Sequence, residues 1–196
     1  MQMIEQRLFP TLVGKFEEVL FPEQCDELLS SIDASSLKKY EALTGEAVTS
    51  FNKQFNIFTD FPPTLSLLLQ SRLDICINQY VNTYGCLKVN IVNSWISYQY
   101  PHSKLVKHTH PGSHISGVLY LRADEKSSPI YFYNPNPFAT FTSRANHGND
   151  FTREHVKFTP KTGDLLIFPS WLSHGSDIEE NMSEERIILS FNTENG

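Results

Sequence analysis

"LVKHTHPGSHISGVLYL", residues 105–121, sets three histidines ahead of an apolar run that reads as a buried β-strand. His108 and His110 are two positions apart. On an extended chain, residues i and i+2 point to one face, so both rings can address a single point. Neutral imidazole binds Fe, Zn, Cu and Ni, which makes a metal ion the natural occupant of that point. Two ligands are too few, and a third has to come from elsewhere in the chain. "GDLLIFPSWLSHGS", residues 163–176, offers His174 after a short strand and a Pro/Ser loop, placed to return across a sheet. His114, four positions beyond His110, is an alternative for one of the three. An HxH pair alone is a weak signal, because most loop histidines are simply solvated. His102, His147 and His155 have no partner at a useful spacing and read as surface or packing residues.

A second pattern strengthens the first. In "RIILSFN", residues 186–192, Ile187, Leu189 and Phe191 share one face of a strand. Arg186, Ile188, Ser190 and Asn192 share the other. An arginine and a serine four residues apart on one face can together receive a carboxylate, through a two-pronged guanidinium and a hydroxyl donor.

The surrounding chain bounds these motifs. A length of 196 residues suits one domain with one sizeable core. The net charge of −6 argues against a nucleic-acid binder that works by phosphate neutralisation. No run approaches the roughly 20 apolar residues of a membrane helix, and the N-terminus lacks the marks of a secretory signal. Cys25, Cys76 and Cys86 form no CxxC pair, so free thiols and a reducing, cytoplasmic setting are expected.

Along the chain, "LFPTLVGKFEEVL" begins like a strand. "FPEQCDELLSSID" reads as a helix with Pro22 in its first turn and Glu23 and Asp26 near its positive end. Residues 34–62 carry no clear period and are expected to form loops and short strands. From Pro63, the residues Leu65, Leu69, Leu73, Cys76, Tyr80 and Tyr84 recur at steps of three or four, a long helix that Gly85 is placed to end. Beyond it come KVNIVNSWISYQY, ISGVLYL, PIYFY, HVKF, DLLIF and RIILSF, separated by Pro, Gly, Asn and Ser. Such a series predicts an antiparallel sandwich or barrel. The expected fold class is mainly β with supporting helices (α+β), one domain over residues 1–196. Helical support occupies about 20–85 and the β core about 88–193. Residues 131–151 are aromatic and Asn-rich, either a wall or lid over the site or an ordinary surface loop.

Together, "LFPTLV", "HTHPGSHISGVLYL", "GDLLIFPSWLSHG" and "ERIILSFNT" resemble the 2-oxoglutarate/Fe(II)-dependent oxygenases, more narrowly a family of small oxygenases of bacteria and phages. The resemblance implies a double-stranded β-helix, or jelly-roll, behind an N-terminal helical layer. It implies iron at the open end, held by His108, His110 and His174. Arg186, aided by Ser190, would pair with the distal carboxylate of 2-oxoglutarate, and Tyr98 and Tyr120 fall where prolyl-hydroxylase-like relatives contact the cosubstrate. The implied activity is a dioxygenase that hydroxylates a peptide or small-molecule substrate with dioxygen, releasing succinate and CO2, with ascorbate as an accessory reductant. One departure stands out. The usual triad carries a carboxylate at the position held here by His110. Asp164 offers a substitute but reads better as part of a turn entering a strand. Two other functions share these residues: a cupin-like metalloenzyme that does not use 2-oxoglutarate, and a non-catalytic jelly-roll module with its histidines left as packing.

Overall fold

Pro63, Gly85 and the apolar stripe between them do produce a long helix, α2 (Pro63–Tyr84), in the computed structural model. The structure describes residues 3–4, 9–51, 55–136, 138 and 152–196. Pro63 stands at the start of α2, where its missing N–H costs nothing. Gly85 ends the helix in the left-handed region, at φ 76°, and donates its N–H to the Val81 carbonyl at 2.9 Å. Helix α1 (Pro22–Ser30) also opens on a proline, and the Gln24 side chain accepts the Phe21 N–H at 3.0 Å. Between the helices, residues 34–62 give a 3-10 turn (Ala34–Ser36) and two short strands, as their mixed composition predicts.

Eleven strands are described. They are β1 (Gly14–Phe16), β2 (Leu43–Thr44), β3 (Ala47–Thr49), β4 (Val89–Gln99), β5 (Lys104–Leu105) and β6 (Ile115–Arg122), followed by β7 (Ile130–Tyr133), β8 (His155–Phe158), β9 (Leu165–Pro169), β10 (His174–Gly175) and β11 (Arg186–Asn195). Six pair antiparallel in the order β1-β9-β6-β11-β4-β3, three in the order β10-β7-β8, and β2 pairs with β5. From β6 onward the chain alternates between the two larger sheets: β6 in the first, β7 and β8 in the second, β9 back, β10 across, β11 back. Residue 108 extends the smaller sheet. His108 N–H donates to the His174 carbonyl at 2.9 Å, and His174 N–H returns to the His108 carbonyl at 3.0 Å. This is a double-stranded β-helix.

Period-two alternation sorts the side chains of the larger sheet. Ile115, Leu119 and Leu121 of β6 and Ile187, Leu189 and Phe191 of β11 pack with Leu69, Leu73 and Ile77 of α2. The alternate residues Val118, Tyr120 and Ile188 turn inward to meet Ile130, Phe132, Leu166, Phe168 and Leu172 between the sheets. Each such apolar side chain, fully buried, contributes roughly 1.5–3 kcal/mol. Gly117 is needed where Phe191 crosses it, since a β-carbon there would come within 2.2 Å of the ring. Among the described residues no helix is long and apolar enough to cross a membrane. Cys25, Cys76 and Cys86 are free thiols.

Candidate active site

The jelly-roll places the three histidines by backbone pairing. His108 and His174 face each other across the bridge described above, and the His110 N–H donates to the Ser170 carbonyl at 2.9 Å. Ring centroids then lie 5.0 Å apart for His108 and His110, 4.4 Å for His108 and His174, and 5.1 Å for His110 and His174. One nitrogen from each ring falls within 4.8 Å of the others, so the trio could hold a metal ion.

Hydrogen bonding fixes two of the tautomers. Nδ1 of His108 lies 2.8 Å from the Val106 carbonyl, and Nδ1 of His174 lies 2.8 Å from the Leu172 carbonyl. A carbonyl can only accept, so each Nδ1 carries the proton and each Nε2 keeps a lone pair for a ligand. His174 Nε2 faces His110 Nε2 at 3.2 Å. With its proton on Nε2, His110 donates to the His174 Nε2 lone pair; with its proton on Nδ1, both Nε2 lone pairs can face one metal cation.

Electrostatics also favour the neutral, ligating form. Burial and the neighbouring His108 push the His110 imidazole down to about 4. Burial, then His108, holds His174 well below the ordinary histidine range, against a smaller opposing effect of the Leu172 carbonyl. His108 is lowered by burial, opposed by the Val106 carbonyl and by Asp177. At neutral pH all three imidazoles therefore present lone pairs.

No carboxylate joins the trio among the described residues. Asp164, the substitute weighed from sequence, is committed elsewhere: its Oδ2 lies 3.2 Å from Lys15 Nζ and its Oδ1 accepts the Glu18 N–H at 3.4 Å. Asp177 accepts the Tyr133 hydroxyl at 2.7 Å. His114 is not part of the cluster; its backbone pairs with Thr193 and Ser170. His102 meets Glu180 on the exposed surface, and His155 meets Tyr131 and Tyr133 edge-on. His147 lies outside the described residues, as does most of the 131–151 stretch beyond β7.

Arg186 and Ser190, four residues apart on the inner face of β11, line the same cavity as the trio. Only 2% of Arg186 is exposed. Its Nε donates to the Ser128 carbonyl at 3.1 Å, its Nη1 donates to Gln99 Oε1, and its guanidinium carbon lies 5.2 Å from the Tyr120 ring centroid. These partners are all neutral, and no carboxylate pairs with Arg186 among the described residues. Around it the donors of Gln99 Nε2, Tyr120 OH and Ser128 Oγ are buried without a hydrogen-bond partner. A buried guanidinium without a counter-ion among the described residues, ringed by unused N–H and O–H groups, fits an anion.

Tyr98 is corrected by the strand register. It pairs with Ile187 across β4 and β11, so it shares the helix-packed face, while its neighbour Gln99 pairs with Arg186 on the cavity side. Tyr120, paired with Ile188, does lie on the inner face beside Arg186. Gln99 went unnoticed in the sequence, although the Trp95, Ser97, Gln99 alternation against Ile96 and Tyr98 carries the signal. A second omission is an aromatic row on the cavity wall: Tyr40 meets Phe51 at 4.7 Å, Phe51 meets Trp95 at 5.1 Å, and Trp95 meets His110 at 5.8 Å. The cavity measures about 180 Å³, below the roughly 300–1,000 Å³ of drug-sized sites and suited to a small acid.

Residues 93–192, from β4 through β11, match the family model described as "Putative 2OG-Fe(II) oxygenase". The chain belongs to this 2OG-Fe(II) oxygenase family. No curated protein matches the sequence. Among solved structures, this oxygenase is similar to the viral collagen prolyl hydroxylase of Paramecium bursaria Chlorella virus-1 in its 2OG complex. That likeness has 15% identity and a TM-score of 0.60, covering 94% of this chain and 96% of the other. HygX from Streptomyces hygroscopicus, solved with nickel and 2-oxoglutarate, gives 12% identity and a TM-score of 0.65, covering 94% and 83%. A prolyl-4-hydroxylase from Pseudomonas putida gives 13% and 0.59, covering 95% and 94%. At such identities the likeness speaks for the fold.

Proposed function

We propose that this chain is an Fe(II)- and 2-oxoglutarate-dependent dioxygenase that hydroxylates a peptide or small-molecule substrate. The observation that carries the reading is the sharing of one cavity by three neutral imidazoles and a buried arginine without a counter-ion. His108, His110 and His174 would hold the ferrous ion through ring nitrogens. Arg186 and Ser190 would receive the distal carboxylate of 2-oxoglutarate, with Tyr120 beside the guanidinium. When bound, iron and 2-oxoglutarate supply the oxidising power: dioxygen splits the cosubstrate into succinate and CO2, and its second oxygen atom enters a substrate C–H bond.

The protein's own residues bind, orient and shield. Val106 and Leu172 carbonyls lock the His108 and His174 rings by accepting their Nδ1–H protons, holding Nε2 toward the shared point. Phe132 and Phe168, at ring distances of 6.0 and 4.5 Å, pack against His174 and exclude water from one side of the cluster. With three imidazoles and no carboxylate, the ligand set brings no negative charge, so the dicarboxylate cosubstrate supplies the neutralisation. A reducing, cytoplasmic setting suits both a ferrous ion and three free thiols.

Anaerobic addition of Fe(II) and 2-oxoglutarate should produce a weak visible charge-transfer band, and admitting air should yield succinate. Arg186→Ala should weaken cosubstrate binding about 100-fold, the usual consequence of deleting one partner of a buried charge pair. A metal-loaded protein that gives neither band nor succinate would contradict the proposal. The all-imidazole set favours a second reading, the cupin-like metalloenzyme without 2-oxoglutarate, and that outcome would select it.

A further inference from the structure

The wall of the cavity beyond the histidines is built by residues 38–51, a segment fastened on two sides. Its β3 pairs with β4 of the larger sheet, its β2 pairs with β5, and the Val106 N–H donates to the Ala42 carbonyl at 3.0 Å. From it Tyr40 and Phe51 project beside Trp95 of β4. The row runs inward from Phe51, which is 41% exposed, to the His110 ring. Ala42, Leu43 and Leu105 complete this side of the cavity. Among the described residues of the lining, Arg186 is the only group charged at neutral pH, the three imidazoles being neutral.

We propose that the Tyr40–Phe51–Trp95 row is the substrate's seat and that it selects an uncharged aliphatic or alicyclic group. The inference rests on the reading of the trio and Arg186 as the metal and cosubstrate site. A cationic group in this cavity would meet Arg186 and the metal, whose positive charge the bound dicarboxylate only partly cancels, and the described lining adds no carboxylate. An anionic group would compete with the dicarboxylate for the same guanidinium. Either charge gives up its water without a partner, at a cost of several kcal/mol, whereas an apolar group gains from leaving water. Aromatic rings can also hold cations from their faces. Here, however, Phe51 meets Trp95 edge-on at 85° and is tilted 38° to Tyr40, so the rings form a row along the wall and not a cage closed around a charge.

Three probes with one carbon ring separate the possibilities: cyclopentanecarboxamide, cyclopentylammonium and cyclopentanecarboxylate. The chain has two tryptophans, Trp95 and Trp171, so Trp171→Phe leaves Trp95 as the only indole reporter. With Fe(II) and 2-oxoglutarate bound anaerobically, the carboxamide should change Trp95 emission saturably, at a half-saturation roughly ten-fold below that of either charged probe. Phe51→Ala should raise the carboxamide value about ten-fold and Phe51→Tyr should restore it. Equal or tighter binding of a charged probe, no saturable response to the carboxamide, or no effect of Phe51→Ala overturns the inference. The charge-transfer band is read in the same samples. Its presence beside any of those results means the substrate seat fails alone, and its absence means the underlying metal–cosubstrate reading fails.

Discussion

The two faces of β11 are equally buried and chemically opposite. Leu189 and Phe191 on one face are fully inaccessible against the helices, and Arg186 on the other is 2% exposed. On the helix side Ile187, Leu189 and Phe191 are apolar and packed, and buried hydroxyls nearby are bonded: Ser66 Oγ donates to the Ile57 carbonyl and Ser94 Oγ accepts the Ile57 N–H. On the cavity side, Arg186 has no counter-ion among the described residues, and donors on Gln99, Tyr120 and Ser128 go unused. Burial therefore does not distinguish a core from a site in this molecule. What distinguishes them is whether the buried polar groups are satisfied. The helix face stabilises the fold, and the cavity face keeps its polar groups ready for a ligand.

Substitutions on each face should fail in different ways. His174→Ala, on the cavity side, should leave a folded chain whose iron binding is weakened by more than about 100-fold, since disturbing even the outer shell of such a site costs 10–100-fold. Metal content after dialysis and succinate formation measure this, and a variant that retained iron would remove the trio from the account. Leu189→Ala should act in the opposite sense. It should cost about 2–5 kcal/mol of folding stability in urea while the folded fraction binds iron and 2-oxoglutarate as before.

Acid should separate the faces without any mutation. In the metal-free protein the histidines titrate below their unfolded value of 6.5, with His110 at about 4. The unfolded chain thus takes up protons first. Stability is fully present above pH 6.5 and is lost as pH falls toward 4, by an amount on the order of 2 kcal/mol for His110 after allowance for its partial exposure. Bound metal should suppress the loss until it is displaced. A flat stability profile between pH 7 and pH 5 would mean that the rings are not buried together.

Much of this is legible in the sequence. The HxH pair, the return of His174 after a strand and the shared face of Arg186 and Ser190 all follow from period two, a local property of extended chain. The α2 stripe and its Gly85 stop are local in the same way. Strand register is not local, because it depends on pairing between distant strands. The family resemblance implies that Tyr98 contacts the cosubstrate, yet the Ile187 pairing assigns it to the helix face, and the Arg186 pairing brings Gln99 to the cavity side. The aromatic row was hidden for a related reason. Tyr40 and Phe51 lie in a segment without period and meet Trp95 only after the chain has folded back across the barrel mouth.

The central claim, that the cavity holds a buried positive charge awaiting an anion, is tested most directly by Gln99→Glu. This nearly isosteric change keeps the acceptor for Arg186 and supplies a permanent carboxylate. Thermal unfolding of the ligand-free protein and calorimetric titration of 2-oxoglutarate into the metal-loaded protein are then compared with wild type. The account predicts a variant more stable by about 1 kcal/mol or more, with 2-oxoglutarate affinity lowered about ten-fold because the guanidinium is already neutralised. A less stable variant with unchanged 2-oxoglutarate affinity would contradict it.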